Sequence, residues 1–304
     1  MPTVTPPTTL RFGSTAQLLN SLASPAERRR SQIFLRMGAL RWIEALPLAI
    51  LAAYLNDDRR RNRRGGRIVL PERYEFLQRM DFFKTIGLEM REQFQRHEPQ
   101  GRFVPVREVA VGREVQVAAA EIVDTLRVDD REAANVLRHC IGEVIDNVFV
   151  HANSLTNATI CAQHFPNAGR TQVGIVDTGV GFRTSFASSP LYRRMKLTDR
   201  DAITLGLAPY VTSKPPTVEM YDSGYGRLGV GLFIVSCVLN QVGGRIQIAS
   251  KTALFHRGRW IPIRPWQGSI VGFEVPDVPL VSYEEAMRVA RQGAIEMARA
   301  RDVG

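Results

Sequence analysis

Three short stretches of this chain hold residue types that can do chemistry together. The first is Glu143-Val-Ile-Asp-Asn147-Val-Phe-Val-His151. Its Glu, Asn and His stand four apart, so on a helix they share one face. An acid, an amide and an imidazole on one stripe is an odd way to build a core, and taken alone the stripe reads as a solvated face. The second is Gly174-Ile-Val-Asp177-Thr-Gly179-Val-Gly181-Phe182. Here an apolar strand runs into an Asp followed by glycines at alternate positions. The glycines remove Cβ atoms, so a flat ligand can approach the backbone. The Asp can accept a hydrogen bond from an exocyclic amine such as that of adenine. Taken alone, this too reads as a strand and a tight turn. The third is Gly224-Tyr-Gly226-Arg-Leu-Gly229-Val-Gly231-Leu, opening a helix expected over 230–242. Glycine-rich backbone at a helix N-terminus offers free N–H groups and the positive dipole end, which suits phosphate.

Residues 224–229 also satisfy GxGxxG, but the context of a dinucleotide fold is missing. The preceding run, Thr217-Val-Glu-Met-Tyr-Asp-Ser, is a poor strand, and no Asp or Glu occurs between Asp222 and Glu274 to bind a ribose. No GxxxxGK[ST] occurs either, which excludes a P-loop.

These motifs need elements to position them. Apolar residues from Ile33 to Leu55 recur at mixed three- and four-residue steps, which predicts a helix from Pro25 to about Arg64. Gly65–Gly66 stops it, Arg67–Leu70 reads as a strand, and Pro71 opens a helix over 72–86. Residues 98–104 suit a linker. Strands are expected at Arg102–Val111 and Glu114–Val117, then a helix from Arg131 to Ala152 capped by Asp129 and Asp130. A hairpin follows, Ala158–Phe165 with Thr171–Val176, turning around Pro166–Gly169. The irregular stretch 182–225 contains a helical piece near Asp199–Leu207. Gly243–Gly244 ends the helix over 230–242, the last strands are Arg245–Ser250 and Ser269–Val275, and a tail helix spans Tyr283 to Arg301.

The 304 residues carry a net charge of +10, with hydrophobic content of 44% and charged content of 23%, which fits a globular chain with a real core. Arginines cluster at 28–30 and at 59, 60, 61, 63, 64 and 67. A solvated helix end is the plain reading; a patch for an acidic partner or nucleic acid is the sharper one. No aromatic residue is interleaved with the run, so a base-stacking platform is not indicated. Cys140, Cys161 and Cys237 are scattered, without metal spacing, as expected of reduced thiols in a cytoplasmic protein. The Pro/Thr-rich start lacks a signal core, and the apolar run 42–55 carries Glu44 and Pro47 and is too short to span a bilayer.

In order and spacing, these residues resemble the GHKL ATPases (gyrase, heat-shock chaperone, histidine kinase, MutL), and the second half resembles the ATP-binding domain of histidine kinases. Glu143 to Asn147 is similar to the N box, Asp177 to Gly181 to the DxGxG box, and Tyr210-Val-Thr212-Ser213-Lys214 to the aromatic-x-Thr-Thr-Lys box. Gly226 to Gly231 with its helix resembles the second glycine box, and Gly268-Ser269-Ile-Val-Gly-Phe273 the final Gly-Thr strand.

The resemblance implies an α/β (α+β) fold: a two-layer Bergerat-type sandwich over 101–280, which binds ATP and Mg²⁺. A small helix–strand–helix module over 26–100, loosely similar to a STAS-like fold, would precede it. A disordered leader over 1–25 and a C-terminal helix over 281–304 complete the division. Asn147 would hold Mg²⁺, with Glu143 acting through water. Asp177 would bind the adenine amine, Gly179 and Gly181 would shape the adenine slot, and Ser269 would help place the adenine water. Gly226, Arg227, Leu228, Gly229, Val230 and Gly231 would cradle the phosphates, with Thr212, Ser213 and Lys214 beside them. The stretch between Lys214 and Gly226 would be the ATP lid.

Two departures shape the functional expectation. Glu143 stands where histidine kinases usually have Asn or His; a Glu there resembles the gyrase, MutL and anti-sigma-kinase branches, where it is a general base. None of the five histidines, His97, His139, His151, His164 and His256, sits in a phosphoacceptor-like sequence. A self-phosphorylating histidine kinase is therefore not expected. Three readings follow: a stand-alone slow ATPase switch in bacterial signalling, a serine/threonine kinase of the anti-sigma type acting on a STAS-like partner, and a nucleotide-sensing interaction or nucleic-acid-binding protein without turnover. GHKL proteins commonly pair, so a homodimer is expected too, and no membrane contact is.

Overall fold

The computed structural model describes residues 2–28, 32–62, 66–92, 94–110, 112–128, 131–151, 157–209, 211, 213, 231–277, 288–289 and 292–293, without the side chains of 133, 136, 150 and 151. The N-terminal part interleaves short strands with helices. In chain order these are β1 (Thr3–Val4), β2 (Thr9–Leu10), α1 (Thr15–Ser21), α2 (Pro25–Arg28), β3 (Phe34–Arg36), β4 (Trp42–Ile43), α3 (Ala45–Asn62), β5 (Arg67–Val69), α4 (Glu75–Arg79) and α5 (Phe82–Thr85). Strands β1, β3 and β5 form a parallel sheet in that order, and β2 pairs with β4.

Three expectations change here. Residues 2–28 are built in, with Val4, Leu10, Phe12, Leu18 and Leu19 buried, because this apolar set closes a core with α3 that the Pro/Thr composition of the first residues conceals. The helix expected over 25–64 is two helices with β3 and β4 between them. A mixed three- and four-residue spacing of apolar residues is equally satisfied by two short buried strands and a helix buried all round. The helix expected over 72–86 is likewise split, at Asp81, whose φ of 56° breaks the ladder.

The rest of the chain builds the main sheet. Its elements are β6 (Phe103–Val109), α6 (Arg113–Leu126), α7 (Arg131–His151), β7 (Ala158–Phe165), β8 (Arg170–Val176), α8 (Gly181–Ala187), α9 (Asp199–Leu207), α10 (Gly231–Gln241), β9 (Arg245–His256) and β10 (Arg259–Pro276). The five strands are antiparallel neighbours in the order β6-β7-β8-β10-β9. The strand expected at 114–117 is the first turns of α6, where Val115, Ala118, Ala119, Ile122 and Val123 make a helical apolar face. Strands β9 and β10 run longer than expected and meet at Arg257 and Gly258, both with positive φ, as a two-residue hairpin turn requires. Of the tail helix, 288–289 and 292–293 are helical, and the rest lies outside the described residues, as do Asp129 and Asp130.

Successive residues of the middle strands face opposite cores, as the pleat dictates. Ile160, Ala162, Val173 and Ile175 pack with α6, α7 and α10, while Cys161 and Val176 pack with α3. With both faces covered, β7 and β8 read as continuous apolar runs rather than alternating ones. The helix-on-sheet sandwich thus gains a third layer from the N-terminal module. Its seat is specific: Gly174 and Gly272 are register partners on β8 and β10, and a Cβ on either would press into Leu46 of α3.

A buried polar network fastens the same joint. Glu44, just before α3, receives Arg170 at 3.1 Å, Gln172 at 2.5 Å and the Phe12 N–H at 2.8 Å. Arg170 also pairs with Glu274 of β10. Burial pushes the Glu44 carboxyl up, but hydrogen bonds from Gln172 and Phe12 and the Arg170 charge outweigh it, leaving it below the ordinary carboxylate range.

Candidate nucleotide site

The site lies where β8 ends and where α7 meets the start of α10. On α7, Cys140, Ile141, Val144, Ile145 and Val148 are buried and fix the helix roll. That roll leaves Glu143 half-buried and Asn147 exposed, one turn apart, as the four-residue spacing predicts. The His151 side chain lies outside the described residues. Gly231, the first residue of α10, packs directly on this face: a Cβ there would run into Cβ of Glu143 and come within 3.3 Å of the Cys140 carbonyl. The helix that follows the glycine box therefore begins against the acid of the first motif.

Asp177 follows the last residue of β8 and is 2% exposed. Its Oδ1 accepts the Gly179 N–H at 2.7 Å. Its Oδ2 accepts the Ser269 N–H at 3.1 Å and the Ser269 hydroxyl. Its backbone is held as well, donating to the Ser269 carbonyl at 2.9 Å and accepting from Trp266 Nε1 at 3.2 Å. A carboxylate offers about four acceptor positions, so three donors leave one on Oδ1. Burial pushes the carboxyl up to about 6, and the hydrogen bonds from Ser269 and Gly179 and the Lys251 charge pull it back only in part. The site thus holds a desolvated carboxylate with lone-pair capacity for one more donor.

Two glycines make that placement feasible. Gly268 has φ of 102°, and a Cβ there would strike the Asp177 carbonyl. Gly181 has φ of 75°, and its Cβ would meet Ser250 Oγ at 2.5 Å and the Gly268 carbonyl at 2.9 Å. Ser250 ties the two together, donating to the Gly268 carbonyl at 2.9 Å and accepting from the Phe182 N–H at 3.2 Å.

Of the residues expected at the site, Asp177, Gly179, Gly181 and Ser269 are brought together at the end of β8, and Glu143, Asn147 and Gly231 at the joint of α7 and α10. Ser213 is buried and its hydroxyl lies 2.7 Å from that of Ser185 on α8, so it anchors its own segment. Thr212, Lys214, Gly226, Arg227, Leu228, Gly229 and Val230 lie outside the described residues. Ser250, Lys251 and Trp266 were not anticipated. They enter through the long β9–β10 hairpin, and no local motif marks them. Among the described residues no group of three His, Cys, Asp or Glu side chains is placed to hold a metal, and no helix is long and apolar enough to cross a membrane.

An antiparallel sheet backed by α7 and α10, with a buried Asp at a strand end and Gly231 opening α10 against Glu143, is an α/β arrangement consistent with a nucleotide-binding domain. Residues 132–278 match the family model of the histidine kinase-, DNA gyrase B- and HSP90-like ATPases, which supports a histidine-kinase-like ATP-binding domain over this segment. ATP binding is the property that this match supports. No curated protein and no solved structure was found to match the chain.

Proposed function

We propose that this protein binds ATP with Mg²⁺ and works as a slow ATPase switch, with Glu143 as general base. The observation that carries this reading is the contact of Glu143 with Gly231. It puts a half-buried acid at the N-terminal end of α10, where free N–H groups and the helix dipole favour phosphate. Mg²⁺ supplies charge neutralisation on the phosphates, and Asn147, exposed one turn beyond Glu143, offers an amide oxygen to it. Asp177 and Ser269 recognise the adenine end, and the glycine box up to Gly231 cradles the phosphates. The lid expected between Lys214 and Gly226 lies outside the described residues; in this reading ATP bound beside it changes the surface offered to a partner.

The same acid can instead deprotonate a hydroxyl of a partner protein, which is the serine/threonine kinase reading. One experiment separates these outcomes. Mg·ATP binding is measured by calorimetry on wild type and Glu143→Ala, and the fate of γ-labelled phosphate is followed with and without candidate STAS-like partners. A base role predicts binding within a few-fold of wild type and turnover lower by about 10²-fold or more. Label on a protein assigns phosphotransfer, and binding without any turnover assigns a nucleotide sensor. Absence of Mg-dependent ATP binding by the wild type sinks the whole reading.

A further inference from the structure

At the other end of β7 from Asp177, a cleft of about 890 Å³ opens between the N-terminal module and the main sheet. Arginines reach it from four places in the chain: Arg79 ends α4, Arg102 precedes β6, Arg127 caps the C-terminus of α6, and Arg138 lies on α7. Among the described residues none of the four pairs with a carboxylate, whereas Arg28, Arg60, Arg61, Arg96, Arg107, Arg170, Arg183, Arg245 and Arg264 all do. Among the described residues Asp124 is the one carboxylate in the lining.

Among the described residues these charges have no carboxylate within ion-pair distance. The Arg79 guanidinium lies 5.4 Å from the centroid of the Phe94 ring, and Arg138 donates to Asn135 Oδ1 at 3.2 Å. The Nε atoms of both are buried with no hydrogen-bond partner. Arg127 stands in the left-handed region, φ 55°, where an L side chain sits at a cost. Like charges gathered in a concave wall repel one another and focus their field on the space between. A bound anion removes that repulsion, and arginine forks suit phosphate and carboxylate groups. Phe76 and Phe103 add apolar walls, and the volume lies within the usual ~300–1,000 Å³ of small-ligand pockets.

We propose that this cleft is a second binding site, for a small organic polyanion bearing phosphate or carboxylate groups. It is independent of the nucleotide reading, although α7 joins the two: Arg138 sits on the same helix as Glu143 and Asn147.

The test uses the full chain with pyrophosphate and citrate as probes, followed by calorimetry at low salt without Mg²⁺. The expected result is saturable binding of at least one probe that weakens tenfold or more in Arg79→Gln/Arg138→Gln, while Mg·ADP binding stays unchanged. Equal probe affinity in wild type and variant overturns the proposal. So does failure of the wild type to bind either probe, which is the outcome if Asp129 and Asp130, next in sequence after Val128, already satisfy the arginines. Binding only of oligonucleotides, growing with their length, assigns the patch to nucleic acid and overturns it too. If the double variant does not fold, phenylglyoxal labelling of the wild type decides. Protection of Arg79 and Arg138 by the probe, against no protection of the exposed Arg264, supports the site, and equal labelling sinks it.

Discussion

The carboxyl of Asp177 offers the most direct test of the nucleotide site. Burial raises it to about 6 in the free protein, with three donors already on it. An adenine amine would add a fourth, charge-assisted bond that exists in full only with the ionised form. Such a bond contributes about 1.5–3 kcal/mol, and one pKa unit corresponds to about 1.4 kcal/mol. Nucleotide should therefore lower the Asp177 pKa by about one to two units, to roughly 4–5. The linked expectation is an affinity about 5- to 10-fold weaker at pH 5 than at pH 7.5 from this group alone. The phosphates of the ligand titrate in the same range, so the assay must see the carboxyl itself. A ¹³C titration of the Asp177 carboxyl, with and without saturating Mg·ADP, does so. A free carboxyl titrating near 4 refutes the desolvation argument, and an unchanged midpoint on saturation refutes the amine contact. The sign for stability is separate. A carboxyl raised from 3.8 to about 6 favours the folded state when protonated, so its contribution is present below 3.8 and lost as pH rises through about 6. The loss is about 3 kcal/mol by linkage, and the nucleotide-free protein should gain stability on mild acidification from this group.

The remaining predictions test the scaffold around that carboxyl and the joint behind it. Gly268→Ala should abolish nucleotide binding and destabilise the fold by about 2 kcal/mol or more, read by calorimetry and urea melts, because its φ of 102° and the Asp177 carbonyl both oppose a methyl. Gly231→Ala should push α10 away from Glu143 and weaken Mg·ATP binding about tenfold or more while secondary structure by circular dichroism is kept. Arg170→Ala strands Glu44 and Glu274 without their shared cation and should cost about 3–5 kcal/mol at neutral pH in a denaturant titration. Because Glu44 lies below its ordinary value of 4.5, the contribution of its network is present above 4.5 and lost as pH falls through the lower folded value. The Arg170→Ala deficit should therefore shrink in acid.

How much of this was legible in the sequence depends on where each signal lives. The four-residue stripe on α7, the Asp at the end of β8 and the position of α9 are local patterns, and their geometry follows from helix and strand periods. Ser269 was singled out only through the resemblance of Gly268-Ser269 to the final Gly-Thr strand, and its hydrogen bonds to Asp177 arise inside the longer β10. Trp266, Ser250 and Lys251 were not, since their role depends on the register of β9 with β10, and a bulged hairpin shifts that register between Pro262 and Ser269. The N-terminal part misled for another reason. Helix α3 is buried from Ala45 to Asp58, so no polar face marks its helical period. Strands of two or three residues, such as β1 to β5, carry too few residues to show an alternation at all.

The third layer bears on how a nucleotide signal could leave the site. Asp177 continues β8, and Gly174, three residues earlier, seats Leu46 of α3 with Gly272 of β10. The same β10 carries Ser269, which closes on the Asp177 carboxyl. Any shift of β8 against β10 when the adenine amine binds is therefore met directly by α3, and the Glu44–Arg170–Glu274 network spans the joint at its other end. A glycine seat tolerates almost no change in spacing, since the helix backbone itself lies 3.0 Å from where a Gly174 Cβ would be. Enlarging that contact by Gly174→Ala should alter nucleotide affinity without touching the site, whereas the same change at the exposed hairpin glycine Gly258, which meets nothing within 4 Å, should not. Equal affinities for the two variants, measured by Mg·ADP calorimetry, would mean that the module is a passive cover over the sheet rather than part of the nucleotide response.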